Sequence, residues 1–343
     1  MLYRLLRPLL FKIDPELAHH ITFNAIELIR TIGLLKKTRI ICQPCNLMGL
    51  SFPNPVGLAA GLDKNGEHLD ALAALGFGFL EVGTVTPRPQ PGNPKPRIFR
   101  VPEAKAMINR LGFNNLGVDQ VIENIKNSDY RGVLGINIGK NFDTPLDKAV
   151  DDYQIGLEKV YCYASYVTVN ISSPNTQNLR QLQTADALDH LLSQLKYKQN
   201  QLAQKYGKYV PIVIKIAPDL ESPQIESIAS LLVKHRMDGV IATNTTISRN
   251  SIEHLPIAQE SGGLSGTPLT QRATEVIHQL HCLLQDSIPI IGVGGIMSAN
   301  DAQDKLRAGA SLIQLYTGLI YQGPELVKEI AHAVCAEQNK IKN

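Results

Sequence analysis

The chain has 343 residues, 44% of them hydrophobic and 19% charged, with a formal net charge of +3. That balance supports a sizeable core and excludes a disordered chain. With so little net charge, no Trp and no basic cluster interleaved with aromatics, it argues against nucleic-acid binding.

At the N-terminus, Leu2, Leu5, Leu6, Leu9 and Leu10 fall at helical spacing and predict an amphipathic helix, kinked or cut short at Pro8. Arg4, Arg7 and Lys12 lie beside it. Asp14-Pro15-Glu16 predicts a second helix: a cap, a proline suited to the first turn, and an acid at the positive end of the dipole. It should run from Pro15 to about Arg30, with Gly33 near its end. This segment, residues 1–40, stands apart from residues 41–343. It either packs on the main body or dips an apolar face, flanked by positive charge, into a membrane interface. No run is long enough to span a bilayer, and no secretory leader is legible.

Cys42 and Cys45 form a C-x-x-C. The five cysteines are odd in number and scattered, which points to a reducing compartment rather than a disulfide framework. Neither a thioredoxin-like context nor a second ligand pair accompanies Cys42 and Cys45, so both are expected to be thiols without a role.

From residue 54, short β-rich runs alternate with helical stretches. The runs span residues 54–61, 78–85, 132–139, 166–173, 211–218, 238–245, 288–295 and 311–318. Helices are expected at Ala185–Tyr206, Ser222–His235 and Thr270–Leu284. Eight β-then-α units predict an α/β fold, a (β/α)8 TIM barrel with an N-terminal amphipathic helical extension. No G-x-G-x-x-G opens a helix, so a dinucleotide-binding sheet is disfavoured.

The polar residues gather where each run ends: Asp63-Lys64, Thr84, Asn137, Asn170 through Ser173, Lys215, Thr243-Asn244-Thr245, Gly294-Gly295 and Tyr316-Thr317. A barrel directs these ends to its C-terminal face, where active sites of this fold are built. The small residues after the last two runs suit a phosphate. Lys215, between Ile214 and Ile216, is either a Schiff-base nucleophile or a fixed cation facing an anionic ligand. The stretch after the second run, "TPRPQPGNPKPRIFR", is stiffened by five prolines and made basic by Arg88, Lys95, Arg97 and Arg100. It reads as a long loop over the mouth, followed by Asn109, Asn114 and Asn115 around Gly112. No HExxH, spaced carboxylate pair or metal cluster is present. Amides, hydroxyls and lysines suit a flat, anionic, hydrogen-bonding small molecule and not hydrolysis.

Together, "AAGLDKNGE", "GTVTPRPQPGNPKPRIFR", "INRLGFNN", "GINIGKN", "NISSPNT", "KIAPD", "ATNTT", "GGLSG", "IGVGGI" and "QLYTG" resemble the dihydroorotate dehydrogenase family, in order and over essentially the whole chain. The N-terminal helices, and serine rather than cysteine in "NISSPNT", resemble its membrane-associated, quinone-reducing class. The resemblance implies oxidation of dihydroorotate to orotate for pyrimidine synthesis, with FMN as hydride acceptor and a membrane quinone as final acceptor. It implies cofactor binding by Ala60, Gly61, Leu62, Asp63, Lys64, Thr84, Asn137, Asn170, Lys215, Thr243, Gly266, Gly295, Tyr316 and Thr317. Substrate would be held by Lys64, Asn109, Arg110, Leu111, Gly112, Phe113, Asn170, Asn175, Asn244 and Thr245. Ser173 would be the catalytic base, with Thr176 or water relaying its proton. His19, Arg100 and Tyr316 would line a quinone tunnel formed with the N-terminal helices. The implied location is peripheral, on the cytoplasmic face of a bacterial inner membrane. The rival readings are a soluble fumarate- or NAD-linked flavin barrel, a Schiff-base aldolase using Lys215, and a non-catalytic phospholigand-binding barrel.

Overall fold

The computed structural model describes residues 2–341. Residue 1 and residues 342–343, the ends of the two predicted segments, lie outside the described residues, as does the Leu2 side chain of the predicted stripe. Thirteen strands occur in the described residues: β1 (Cys45–Leu47), β2 (Leu50–Phe52), β3 (Val56–Leu58), β4 (Phe79–Val85), β5 (Ile98–Val101), β6 (Ala106–Asn109), β7 (Val133–Ile138), β8 (Tyr166–Asn170), β9 (Ile212–Ile216), β10 (Gly239–Ala242), β11 (Gly263–Gly266), β12 (Ile290–Val293) and β13 (Leu312–Leu315).

Eight of them, β3, β4, β7, β8, β9, β10, β12 and β13, close in that order into a parallel barrel. Each predicted run holds one of these strands. The helices Ala185–Tyr206 and Thr270–Leu284 match their predicted limits, and the third ends at Lys234, with His235 as its cap.

Strand alternation divides the core in two. Leu80, Val82, Ile136, Val167, Val169 and Ile214 face the surrounding helices in the larger cluster. Phe79, Tyr166, Val213, Ile291 and Leu312 point inward and fill the lower barrel. Gly57 of β3 leaves room for the Phe79 ring, since a Cβ there would come within 2.3 Å of it. The β1–β2 hairpin closes the bottom, with Phe52 packed edge-on against Phe79 at 5.2 Å between centroids. Above this apolar floor the interior turns polar, beginning with the buried Glu81 and Gln314.

The mouth is covered by a sheet the sequence did not reveal. The proline-rich stretch is expected to be loop throughout, but its end forms β5, which pairs antiparallel with β6. β11, from the loop after β10, joins the other side of β6. Its glycine-rich run, Gly263–Gly266, carries no strand-like side-chain pattern, which explains the miss.

The N-terminal helices, α1 (Leu2–Leu10) and α2 (Pro15–Thr31), sit beside this sheet. Pro8 lies inside α1, which is short, as expected. Asp14 caps α2 by accepting from the Leu17 N–H at 2.9 Å. Polar contacts dock both helices. Tyr3 donates to the Ile320 carbonyl (2.5 Å) and Arg7 to that of Tyr321 (2.7 Å). Glu16 pairs with Arg97 (2.6 Å) and Lys95 (2.8 Å). Leu5, Leu9, Leu17 and Leu28 remain exposed. No helix among the described residues is long and apolar enough to cross a membrane.

One cysteine expectation is corrected. Cys42 is not a thiol without a role: it is disulfide-bonded to Cys335 on the last helix, Glu325–Ile341. The partners are 293 residues apart, so local spacing carries no sign of the pairing. Only barrel closure brings the chain's two ends together.

Candidate active site

A cavity of about 980 Å³, partly open to solvent, lies at the C-terminal end of the barrel strands under the β5–β6–β11 sheet. Every barrel strand but β7 supplies lining directly, or through the loop that follows it.

β3 ends in Ala59, Ala60 and Gly61, small residues that leave one wall flat, with Lys64 beyond them. β4 contributes Thr84, β9 Lys215, and the segment after β10 Thr243, Asn244 and Thr245. Asn109 comes from the end of β6, and Leu111, Gly112 and Phe113 from the loop that follows. Asn170, Ser173 and Asn175 come from the end of β8 and its loop.

The far end is a cradle of backbone. Gly266 and Gly295 have φ of +94° and +71°, a region side chains rarely adopt. A Cβ at Gly266 would come within 2.3 Å of the Lys105 carbonyl, and one at Gly295 within 2.2 Å of Thr270 Oγ1. Thr317 and Tyr316 complete that end. Glycine here keeps the backbone within reach of a bound group, as a phosphate requires.

Two lysines dominate the electrostatics. Neither ammonium makes a hydrogen bond with another described residue. Burial pushes the Lys215 pKa down, and the charge of Glu81 partly offsets this. Lys64 is lowered to about 8 by burial and by repulsion from Arg97, against the pull of Glu16 and Asp63. Lys215 is buried and Lys64 half-buried, and two such cations without a hydrogen-bonded anion call for anionic groups on the ligand.

The polar groups between the lysines are pre-oriented. Asn170 Nδ2 donates to Thr84 Oγ1 at 3.0 Å, and Asn170 Oδ1 accepts from the Ser172 N–H at 3.2 Å. Asn244 Nδ2 donates to Ser172 Oγ at 3.0 Å. Asn175 Nδ2 donates to Asn109 Oδ1 at 3.2 Å, joining the β8 loop to the mouth sheet. Ser173 Oγ accepts from the Asn175 N–H at 3.2 Å. Among the described residues, no histidine or carboxylate hydrogen-bonds Ser173 Oγ.

The remaining predicted residues lie outside the lining. Asn137 stands one hydrogen bond behind Thr84, whose Oγ1 donates to its Oδ1 at 2.7 Å. Leu62 is in the outer core. Asp63 accepts from the Glu67 and His68 N–H groups, which makes its carboxylate a turn anchor. The Arg110 guanidinium is held at the edge by Glu260 (2.5 Å) and the Phe99 ring. Thr176 is buried beside the β8 loop, and its side chain makes no hydrogen bond to Ser173.

Of the predicted tunnel residues, only Tyr316 lines the cavity. Burial pushes its hydroxyl up to about 12. His19, on α2, is half-buried against Phe23 and lowered to about 3 by desolvation and by Lys64, so it is a neutral imidazole near pH 7. Arg100 donates to the Ile13 carbonyl at 2.7 Å and holds the α1–α2 connection.

Ala59, Ser265 and Gln314 also line the cavity and are absent from the sequence prediction. So is Glu81, directly below. It is an acid in the apolar run "GFLEVGTV", the same signal that singled out Lys215.

Fold and site define a (β/α)8 barrel whose mouth is shaped for a small anionic ring compound, with a phosphate-sized cradle at one end. Comparisons with known proteins specify the family. A dihydroorotate dehydrogenase profile matches residues 43–337. A dihydroorotate dehydrogenase (quinone) of Nitrosospira multiformis is 65% identical over 335 residues, covering 98% of this chain and 96% of that protein. One of Acinetobacter baumannii is 58% identical, covering 97% of this chain and 100% of that protein. A crystal structure of DHODH in complex with ferulenol from Eimeria tenella superposes with a TM-score of 0.87 at 37% identity, covering 96% of this chain and 93% of that one. The chain belongs to the dihydroorotate dehydrogenase family.

Proposed function

We propose that the chain oxidises (S)-dihydroorotate to orotate in pyrimidine synthesis, with FMN as first acceptor and a membrane quinone as final acceptor. One observation carries this reading: the half-buried Lys64 and the buried Lys215, both unbridged cations, share a single amide-lined cavity with a glycine cradle. Family membership implies a flavin, and the residues present fit FMN. Gly266, Gly295 and Thr317 suit its phosphate, the Ala59–Gly61 wall its flat ring, and Lys215 its negative charge. When bound, FMN supplies the acceptor for the hydride leaving C6 and passes the electron pair to the quinone.

The chain's own residues do the rest. Lys64 holds the substrate carboxylate in the reading we favour. The amides of Asn109, Asn170, Asn175 and Asn244 match the ring's imide and carbonyl groups and fix its plane. Ser173 Oγ takes the C5 proton while its own proton moves on. The Asn175 N–H, aimed at Oγ, favours the more negative oxygen. Thr176 does not bond Ser173 directly, so relay through it requires a bridging water. The mouth sheet keeps bulk water from the reacting atoms.

The exposed leucines of α1 and α2 provide a membrane-facing surface beside the same mouth, which suits a quinone arriving from a bilayer. The location we propose is peripheral, on the cytoplasmic face of a bacterial inner membrane.

The purified protein should carry flavin absorbance and oxidise dihydroorotate with a quinone in preference to fumarate or NAD. Ser173→Ala should lower turnover about 10²–10⁴-fold, the range for a general base, with flavin content unchanged. Near-normal turnover in that variant would refute the assignment of the base.

A further inference from the structure

Glu81 stands in the middle of β4 with its side chain inside the barrel, fully buried. One carboxylate oxygen accepts from Asn137 Nδ2 at 2.8 Å. The other accepts from Gln314 Nε2 (2.7 Å), the Tyr166 hydroxyl (2.9 Å) and Thr168 Oγ1 (3.1 Å). Three further strands thus aim donors at one acid. A carboxylate in a barrel interior is costly unless donors surround it, and such a group has to do something an apolar residue would not.

The Asn137 branch leads to the site. Asn137 Oδ1 accepts from Thr84 Oγ1, Thr84 Oγ1 accepts from Asn170 Nδ2, and Asn170 Oδ1 accepts from the Ser172 N–H. Every member donates downward, from a backbone N–H at the mouth to the carboxylate at the floor. A chain of this polarity needs a terminus that only accepts. An amide facing the carboxylate must turn its nitrogen toward it, so the sense of Asn137 is dictated by Glu81. Lys215 faces the same interior, on β9, at the register position paired with Asn170.

We infer that Glu81 is a positioning residue of the site: its charge ends the chain that orients Asn137, Thr84 and Asn170, and balances the ammonium of Lys215. This rests on the flavin reading above. Glu81→Gln nearly preserves shape but removes the charge. It also leaves one acceptor oxygen where Asn137 and Gln314 now each use their own. Without its counter-charge, Lys215 gives up its proton more readily, and a neutral Lys215 no longer supplies a positive field over the cofactor end.

The test compares wild-type holoenzyme with E81Q and E81D in flavin content, melting temperature, flavin midpoint potential and orotate binding. E81Q is expected to keep its flavin while the equilibrium for two-electron reduction becomes at least tenfold less favourable, and orotate binding weakens three- to tenfold. E81D keeps the charge and should hold the reduction equilibrium within threefold of wild type. A purely structural role would lower melting temperature or flavin content but leave the potential of the loaded fraction unchanged, and that result overturns the inference. Wild-type protein without flavin would instead strike at the function proposed above and remove the basis of this inference with it. If E81Q yields no folded protein, E81D decides by the same threefold criterion. Failure of both to fold overturns the inference, because positioning alone does not hold a barrel together.

Discussion

Lys64 titrates where the protein works. In the free enzyme it is lowered to about 8 by burial and Arg97, with Glu16 and Asp63 pulling the other way. The sign for stability follows from the depressed value. Keeping a charged Lys64 in the fold is a cost that is fully present below about pH 8 and relieved as pH rises toward the unfolded value. The sign for ligand is opposite. An anion favours the charged form, so affinity is greatest below about pH 8 and declines above it, by up to about a decade per pH unit. Orotate titrations from pH 6 to 9.5 should show a flat limb and then this decline. Lys64→Met should bind weakly throughout, with the break removed. A wild-type affinity unchanged across pH 7–9.5 would count against Lys64 as the carboxylate partner.

At the scale of elements, legibility followed the strength of the local pattern. The eight barrel strands were readable because buried parallel strands are apolar runs bounded by polar ends. Helix Thr270–Leu284 was readable from its period alone. β11 was not, because Gly263–Gly266 earns its place through partners on β6 rather than through its own side chains. In the site, residues that interrupt apolar strands stood out, as Lys215 did, whereas small residues such as Ala59 look the same in a wall or a core. The Cys42–Cys335 link was invisible because it depends on closure of the whole barrel. It ties the segment leading into β1 to the last helix. Denatured, unreduced protein should therefore show two fewer reactive thiols than reduced protein. A cross-link of this kind is worth on the order of 2–4 kcal/mol. Cys335→Ser should melt several degrees lower than the oxidised wild type and lose any response to reductant. Equal thiol counts before and after reduction would exclude the bond in solution.

For the whole molecule, the arrangement gives the barrel a direction. α1 and α2 dock through Tyr3, Arg7 and Glu16 on one side and leave leucines on the other, with Leu5 73%, Leu9 63% and Leu28 63% exposed. Folding within this chain gives no reason for three large apolar side chains to face water together. The helices lie beside the mouth sheet, so a bilayer that covers those leucines also meets the mouth of the cavity. Arg4, exposed on α1, lies 3.8 Å from the Glu325 carboxylate, which offsets part of its attraction to an anionic surface. Burying a leucine in an apolar phase is worth about 1.5–3 kcal/mol at most, and an interfacial helix realises part of that. Replacing Leu5, Leu9 and Leu28 together with serine should then weaken sedimentation with anionic vesicles at least tenfold. Dihydroorotate oxidation with a water-soluble short-chain quinone should stay within twofold of wild type, because none of the three touches the cavity. With a long-chain quinone confined to vesicles, turnover should fall in step with vesicle binding. Unchanged sedimentation of the triple variant would mean that the bilayer is met through another surface, and loss of the soluble-quinone reaction would mean that the helices support the site itself.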